Sequence, residues 1–231
     1  MPIQHGKKMI ATLFSGGKDS TLALHKMEAM GKKTQLLITM ISDNDFSYMF
    51  HKPNIAWTKL QAEAMGIKQV FYKTKGVKEE ELADLEKTFT ENKVTELITG
   101  AVASTYQKER IEAICKRLGI VCHSPLWKIE PLEELNELSM IYDVIITQVA
   151  AEGFDESMLG KRIDGDFTDK LIQLNKKYRT NMLFEGGEAE SFVLDAPLFS
   201  KAIEVVKSHI ERQGTVAKFV IDEARLTDGK K

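Results

Sequence analysis

A short, apolar, β-prone run at residues 8–14 ends in Ser15-Gly16-Gly17-Lys18-Asp19-Ser20, and the residues beyond it take up helical spacing. A strand that enters a glycine turn and leaves as a helix restricts the chain to the α/β architectures. Leu22, Leu24, Met27 and Met30 mark the helix, Gly31 stops it, and residues 35–41 read as a second strand.

The alternation continues to residue 123. Helical stretches at 53–65, 79–93 and 107–118 separate strands at 69–72, 96–99 and 120–123. This predicts an α/β fold with a doubly wound parallel sheet that binds ligands at the carboxyl ends of its strands. After Pro125 the order changes: a helix is predicted at 131–140, a strand at 142–149, a helix at 167–178, then Glu185-Gly186-Gly187-Glu188 and a β-like run at 191–194. The expected division is therefore residues 1–125, a nucleotide-type domain, and residues 126–231, a second, smaller α/β domain.

Composition narrows the class. At 43% hydrophobic and 29% charged residues, with no apolar stretch approaching the roughly 18 needed to span a bilayer, no membrane partner is expected. The first residues lack the h-region of a secretory signal, so the cytoplasm is the expected compartment. A formal charge of −2 argues against nucleic acid as the main partner. Lys73, Lys75 and Lys78 read as a solvated face, with docking of a protein partner as the alternative. Cys115 and Cys122, with six residues between them, fit neither a zinc knuckle nor a Cys-x-x-Cys pair.

A glycine turn from strand to helix gathers backbone N–H groups and the positive end of a helix dipole at one point, which suits an oligophosphate. Gly16 and Gly17 permit close approach, Ser15 and Ser20 add hydroxyls, Lys18 is suited to neutralise phosphate charge, and Asp19 to hold a magnesium ion. The turn is not a Walker loop, which requires glycine where Thr12 stands and Ser or Thr where Asp19 stands. Nor is it a dinucleotide fingerprint, because its two glycines are adjacent and no third follows before Gly31.

The six residues resemble the Ser-Gly-Gly-x-Asp-Ser signature of the PP-loop ATP pyrophosphatases at every fixed position. That resemblance implies a PP-loop, Rossmann-like fold, use of ATP, and attack of a substrate oxygen on the α-phosphorus while the loop holds the leaving pyrophosphate. Three further segments, 47–54, 100–110 and 185–199, with Ser124-Pro125-Leu126-Trp127, make the chain similar to the diphthine–ammonia ligase family. The resemblance implies that the carboxylate of diphthine on elongation factor 2 is adenylated and ammonia then displaces AMP. Free ammonium is the expected nitrogen source, since no glutaminase segment is recognisable. A homodimer is compatible with the sequence but not required by it. Other PP-loop adenylating enzymes, acting on transfer RNA or a small molecule, and a non-catalytic nucleotide sensor are the alternatives.

By the same resemblance, Lys18, Asp19, His51, Glu185 and Glu188 are the candidate catalytic residues, with Asp19 as the metal ligand. His51 shares its segment with Tyr48 and Asn54. Ser15, Gly16, Gly17, Ser20, Met40, Ile41, Gly100, Ala101, Ser104, Tyr106, Gln107, Arg110, Gly186 and Gly187 are the candidate nucleotide-binding set. Gly100 is expected to let adenosine approach closely. The chain departs from the family pattern at Phe184, where glycine is usual, and at Ala189-Glu190-Ser191, where an aromatic residue followed by Glu-Thr is usual.

Overall fold

The computed structural model describes residues 8–42, 54–75, 77 and 80–229. Its first part is a five-stranded, wholly parallel sheet ordered β3-β2-β1-β4-β5. The strands are β1 (Ile10–Leu13), β2 (Leu36–Ser42), β3 (Lys68–Thr74), β4 (Glu96–Ile98) and β5 (Val121–His123), joined through helices α1 (Lys18–Ala29), α2 (Thr58–Met65), α3 (Glu80–Glu91) and α4 (Thr105–Leu118). The predicted parallel α/β sheet is thus present. Its strand order reverses direction between β1 and β4, so the loops after those strands flank the crevice where such sheets bind ligands.

Local chemistry sets the helix starts. α1 begins at Lys18, earlier than expected, because Gly17 is extended (φ −81°, ψ 173°) and Asp19 favours the first turn. Ser104 caps α4, its hydroxyl accepting the Gln107 N–H at 3.4 Å. Asn54 takes a left-handed conformation (φ 65°) that starts a short 3-10 turn, Ile55–Trp57, ahead of α2.

The second sheet is antiparallel, ordered β7-β6-β9-β8, from β6 (Asp143–Val149), β7 (Ala189–Asp195), β8 (Ile203–Gln213) and β9 (Val216–Leu226). Helices α5 (Pro131–Ile141) and α6 (Gly165–Tyr178) accompany it. The β8–β9 hairpin is the element the sequence reading lacks. Beyond Val205, β8 is exposed along its length and its pairing with β9 shifts register twice near Lys207, so no clean apolar alternation announces it.

One hydrophobic cluster spans both parts. Leu22, Ala23 and Met27 of α1 pack with Leu135 and Leu138 of α5, Val144 and Ile146 of β6, and Phe192 and Val193 of β7. The opposite face of the parallel sheet is covered by α3 and α4, through Leu85, Phe89, Ile111 and Ile114 against Ile38 and Met40. Helix α1 is therefore a shared layer, and its N-terminus lies where the two parts meet.

Candidate active site

The turn between β1 and α1 is built to a narrow tolerance. Gly16 has φ +77°, and a Cβ there would fall 2.4 Å from Gln61 Oε1 and 2.6 Å from Thr58 Cγ2, so only glycine fits. The Ser20 hydroxyl supports the turn from inside: it accepts from the Ser15 N–H at 3.3 Å and donates to the Gly17 carbonyl at 3.2 Å. Fully buried Gln61 donates to the carbonyls of Gly16 (2.9 Å) and Val193 (2.8 Å). The Val193 N–H also donates to the Gly16 carbonyl (3.0 Å), and the Lys18 N–H to the Ser191 hydroxyl (3.2 Å). The turn is thus fastened to β7. Ser191, a departure from the family pattern, supplies a hydroxyl as threonine would.

Gly100, which follows β4, allows a close approach of protein backbone. A Cβ there would lie 2.7 Å from the carbonyl carbon of Asp19 and 2.7 Å from the nitrogen of Ser20. Its missing side chain seats the first turn of α1 against β4.

Lys18 is buried at the start of α1. Its ammonium is only 1% exposed and is ion-paired with Asp19 and, at 3.0 Å, with Glu134 Oε1 of α5. It also lies 5.5 Å from the centre of the Phe184 ring, itself edge-on to Phe154. Burial alone would push the Lys18 pKa down, but the charges of Asp19 and Glu134 outweigh it and hold the ammonium above its ordinary range. Burial pushes the Glu134 carboxyl up from its ordinary range, and the Lys18 ammonium beside it opposes that push. Lys18 is therefore a buried cation shared between the two parts of the chain. Asp19, with 29% of its side chain exposed, is the member of the cluster that opens outward.

Glu185 joins the same cluster. Its Oε2 accepts from the N–H groups of Ala103 (3.0 Å) and Ser104 (2.9 Å), where α4 begins. Burial, then the nearby Asp19 charge, raise its pKa against those two bonds and against Lys18. Asp19, Gly100, Ala101, Ser104 and Glu185 are thus brought together around the mouth of the β1–α1 turn.

Glu188 stands apart from them. Its two oxygens accept from the Asn181 N–H (2.6 Å) and the Gly186 N–H (2.9 Å), clamping a turn in which Gly187 has φ +81° and Phe184 φ +68°. Its bonds serve the turn, as does the glycine pair between the two acids. Met40 packs its side chain in the core beneath α3, while Ile41 is half-buried at the end of β2. On α4 the Arg110 guanidinium stacks 3.6 Å over the Tyr106 ring, beside Gln107. The Asn54 side chain bridges β9, donating to the Phe219 carbonyl and accepting from the Ile221 N–H, both at 2.8 Å. His51, Tyr48 and Lys78 lie outside the described residues. Glu134 and Gln61 are site residues that sequence reasoning missed. The only signal was an acid and an amide on faces otherwise set among apolar or small residues: Glu134 beside Leu135 and Leu138, and Gln61 beside Ala62 and Ala64.

Among the described residues no group of three or more His, Cys, Asp or Glu side chains is arranged to hold a metal ion, and no helix is long and apolar enough to cross a membrane. A divalent ion would rest on Asp19 and otherwise on phosphate oxygens, as magnesium commonly does.

Residues 8–122 match the family model described as the diphthamide synthase N-terminal domain, and residues 130–226 the corresponding C-terminal domain. The chain is 35% identical over 225 residues to the human diphthine–ammonia ligase, covering 87% of this chain and 84% of that protein. It is 32% identical over 221 residues to the Schizosaccharomyces pombe diphthine–ammonia ligase, covering 86% of this chain and 36% of that longer one. A solved structure described as a predicted subunit of tRNA methyltransferase from Methanocaldococcus jannaschii aligns over 82% of this chain and 98% of its own, at 16% identity and a TM-score of 0.42, a likeness too loose to bear on activity.

Proposed function

The chain belongs to the diphthamide synthase family, and from that premise we propose that it is an ATP-dependent diphthine–ammonia ligase. It activates the diphthine carboxylate of elongation factor 2 with ATP and joins it to ammonia, releasing AMP and pyrophosphate. The observation that carries this reading is the meeting of the Ser15–Ser20 turn, the start of α4 and Glu185 at the strand-order reversal of the parallel sheet.

In this reading residues 1–125 hold the nucleotide and residues 126–231 present the acceptor. Backbone N–H groups of the β1–α1 turn, with Ser15 and Ser104, face the phosphates, and preorganised donors there stabilise charge that develops on the leaving pyrophosphate. Asp19 carries the magnesium ion that accompanies ATP and offsets phosphate charge. The backbone of Met40 and Ile41 faces the adenine, and Tyr106, Gln107 and Arg110 line the approach along α4. Glu185, a carboxyl raised by burial beside Asp19, faces the incoming ammonium. His51 and Tyr48 attend the acceptor. The reaction is cytoplasmic, where elongation factor 2 works, and its nitrogen comes from free ammonium.

The test is product analysis. Incubation with ATP, magnesium, ammonium and elongation factor 2 bearing diphthine should yield AMP, pyrophosphate and an amidated histidine, each dependent on all four additions. AMP without amide would retain ATP cleavage but reject diphthine as the acceptor.

A further inference from the structure

The carboxylate of Glu134 is completely buried on α5, and its Oε2 has no hydrogen-bond partner. An orphaned buried carboxylate oxygen is costly and calls for an explanation. Leu135 and Leu138 are buried on the same helix, so an apolar residue would satisfy packing at this place. What the carboxylate does make is a link. Its Oε1 accepts from the Lys18 ammonium at 3.0 Å, and that ammonium in turn grips Asp19, the outward-facing acid of the β1–α1 turn.

We infer that Glu134 is a positioning residue for the ligase reaction: acting through Lys18, it fixes the Asp19 carboxylate at the mouth of the phosphate turn. This rests on the proposed ATP-dependent reading of the site. Glu134 itself touches no substrate. Lys18 meets the acceptor-side half of the chain at three points: its N–H donates to Ser191, its ammonium to Glu134, and the Phe184 ring lies 5.5 Å from that ammonium. With Glu134 gone, the Lys18–Asp19 pair keeps its mutual bond but loses its anchor, and Asp19 no longer has one orientation. Binding of ATP through backbone N–H groups is untouched, whereas alignment for the chemical step is not.

The test separates kcat from KM. Glu134→Leu, which suits the apolar face, should lower kcat for AMP formation by about 30-fold with KM for ATP held within about threefold, the pattern of a misaligned reacting group. Glu134→Gln keeps the shape and an oxygen that accepts from Lys18, and should recover kcat to within about fivefold of wild type. Should Glu134→Leu fold poorly, the paired variant Lys18→Met, Glu134→Leu removes both buried charges; its kcat loss should equal that of Lys18→Met alone, since the two residues act as a unit. Losses that multiply in the paired variant, or a Glu134→Leu protein with normal kcat per folded molecule, would overturn the role. A wild-type chain that makes no AMP sinks the reaction and this role together, whereas normal wild-type turnover with an unaffected Glu134→Leu sinks the role alone.

Discussion

The side-chain amide of Gln61 donates to the carbonyl of Gly16 at 2.9 Å and, with the same nitrogen, to the carbonyl of Val193 at 2.8 Å. One buried amide thereby joins the β1–α1 turn to a strand of the antiparallel sheet. Gln61→Ala should cost about 2–4 kcal/mol, from the lost hydrogen bonds and the cavity together. It should also weaken ATP binding at least about tenfold, because the turn loses the support that fixes Gly16. Urea denaturation and calorimetric titration with ATP check the two parts, and unchanged affinity in a folded variant would show that the turn holds its shape without this amide.

Gly100→Ala places a methyl group 2.7 Å from the backbone of Asp19 and Ser20, where no side chain can move aside. The first turn of α1 must shift, at a cost of about 1–3 kcal/mol, and AMP formation should fall at least about tenfold. Gly119→Ala is the matched control. Its φ is +68° with open space around it, so it should lose about 1–2 kcal/mol from backbone strain alone and keep its turnover.

Asp19→Asn should abolish AMP formation while the protein stays folded. Lys18 retains Glu134 as its counterion, so the buried cation is not stranded. Circular dichroism and an AMP assay on the same sample decide it, and an active variant would remove Asp19 from the chemistry.

Much of this site was legible because its signals are local. Glycine positions and apolar spacing announced β1, the turn and α1, and the strand–helix alternation announced the parallel sheet around them. Glu134 was not legible in the same way. An acid in the first turn of a helix reads as a partner for the helix dipole, and its actual partner, Lys18, is 116 positions distant. The direction of the Lys18 side chain was hidden for the same reason: nothing near it in the sequence points to a carboxylate 116 positions away. Gln61 carries no motif at all, since its importance lies in two backbone carbonyls brought together by tertiary packing. The β8–β9 hairpin escaped because a strand exposed on most of its length leaves no apolar periodicity to read.

Glu96 makes a stability prediction away from the site. Burial would raise its carboxyl, but hydrogen bonds from Lys8, Lys32 and His123 outweigh it and hold the pKa at about 2. A folded-state pKa below the unfolded value contributes stability above the unfolded pKa and loses it as pH falls through the folded one. The wild type should therefore lose about 2–3 kcal/mol from this group between about pH 5 and pH 2. Glu96→Gln should be less stable at pH 7 and show a flatter acid limb. Denaturant titrations at pH 7 and pH 3 check it, and parallel acid limbs for the two proteins would refute it.

The fastening of Gly16 and Lys18 to Val193, Ser191 and Glu134 bears on how such a chain can be taken apart. A fragment ending near residue 125 would contain every residue of the Ser15–Ser20 signature. It would nonetheless carry an ammonium stripped of Glu134, a turn without its β7 neighbour, and an α1 face made for a layer that is no longer there. The signature is therefore not a portable cassette: grafted or expressed without its far partners, it would keep its letters and lose its shape. The two halves must be exchanged between relatives together, or not at all.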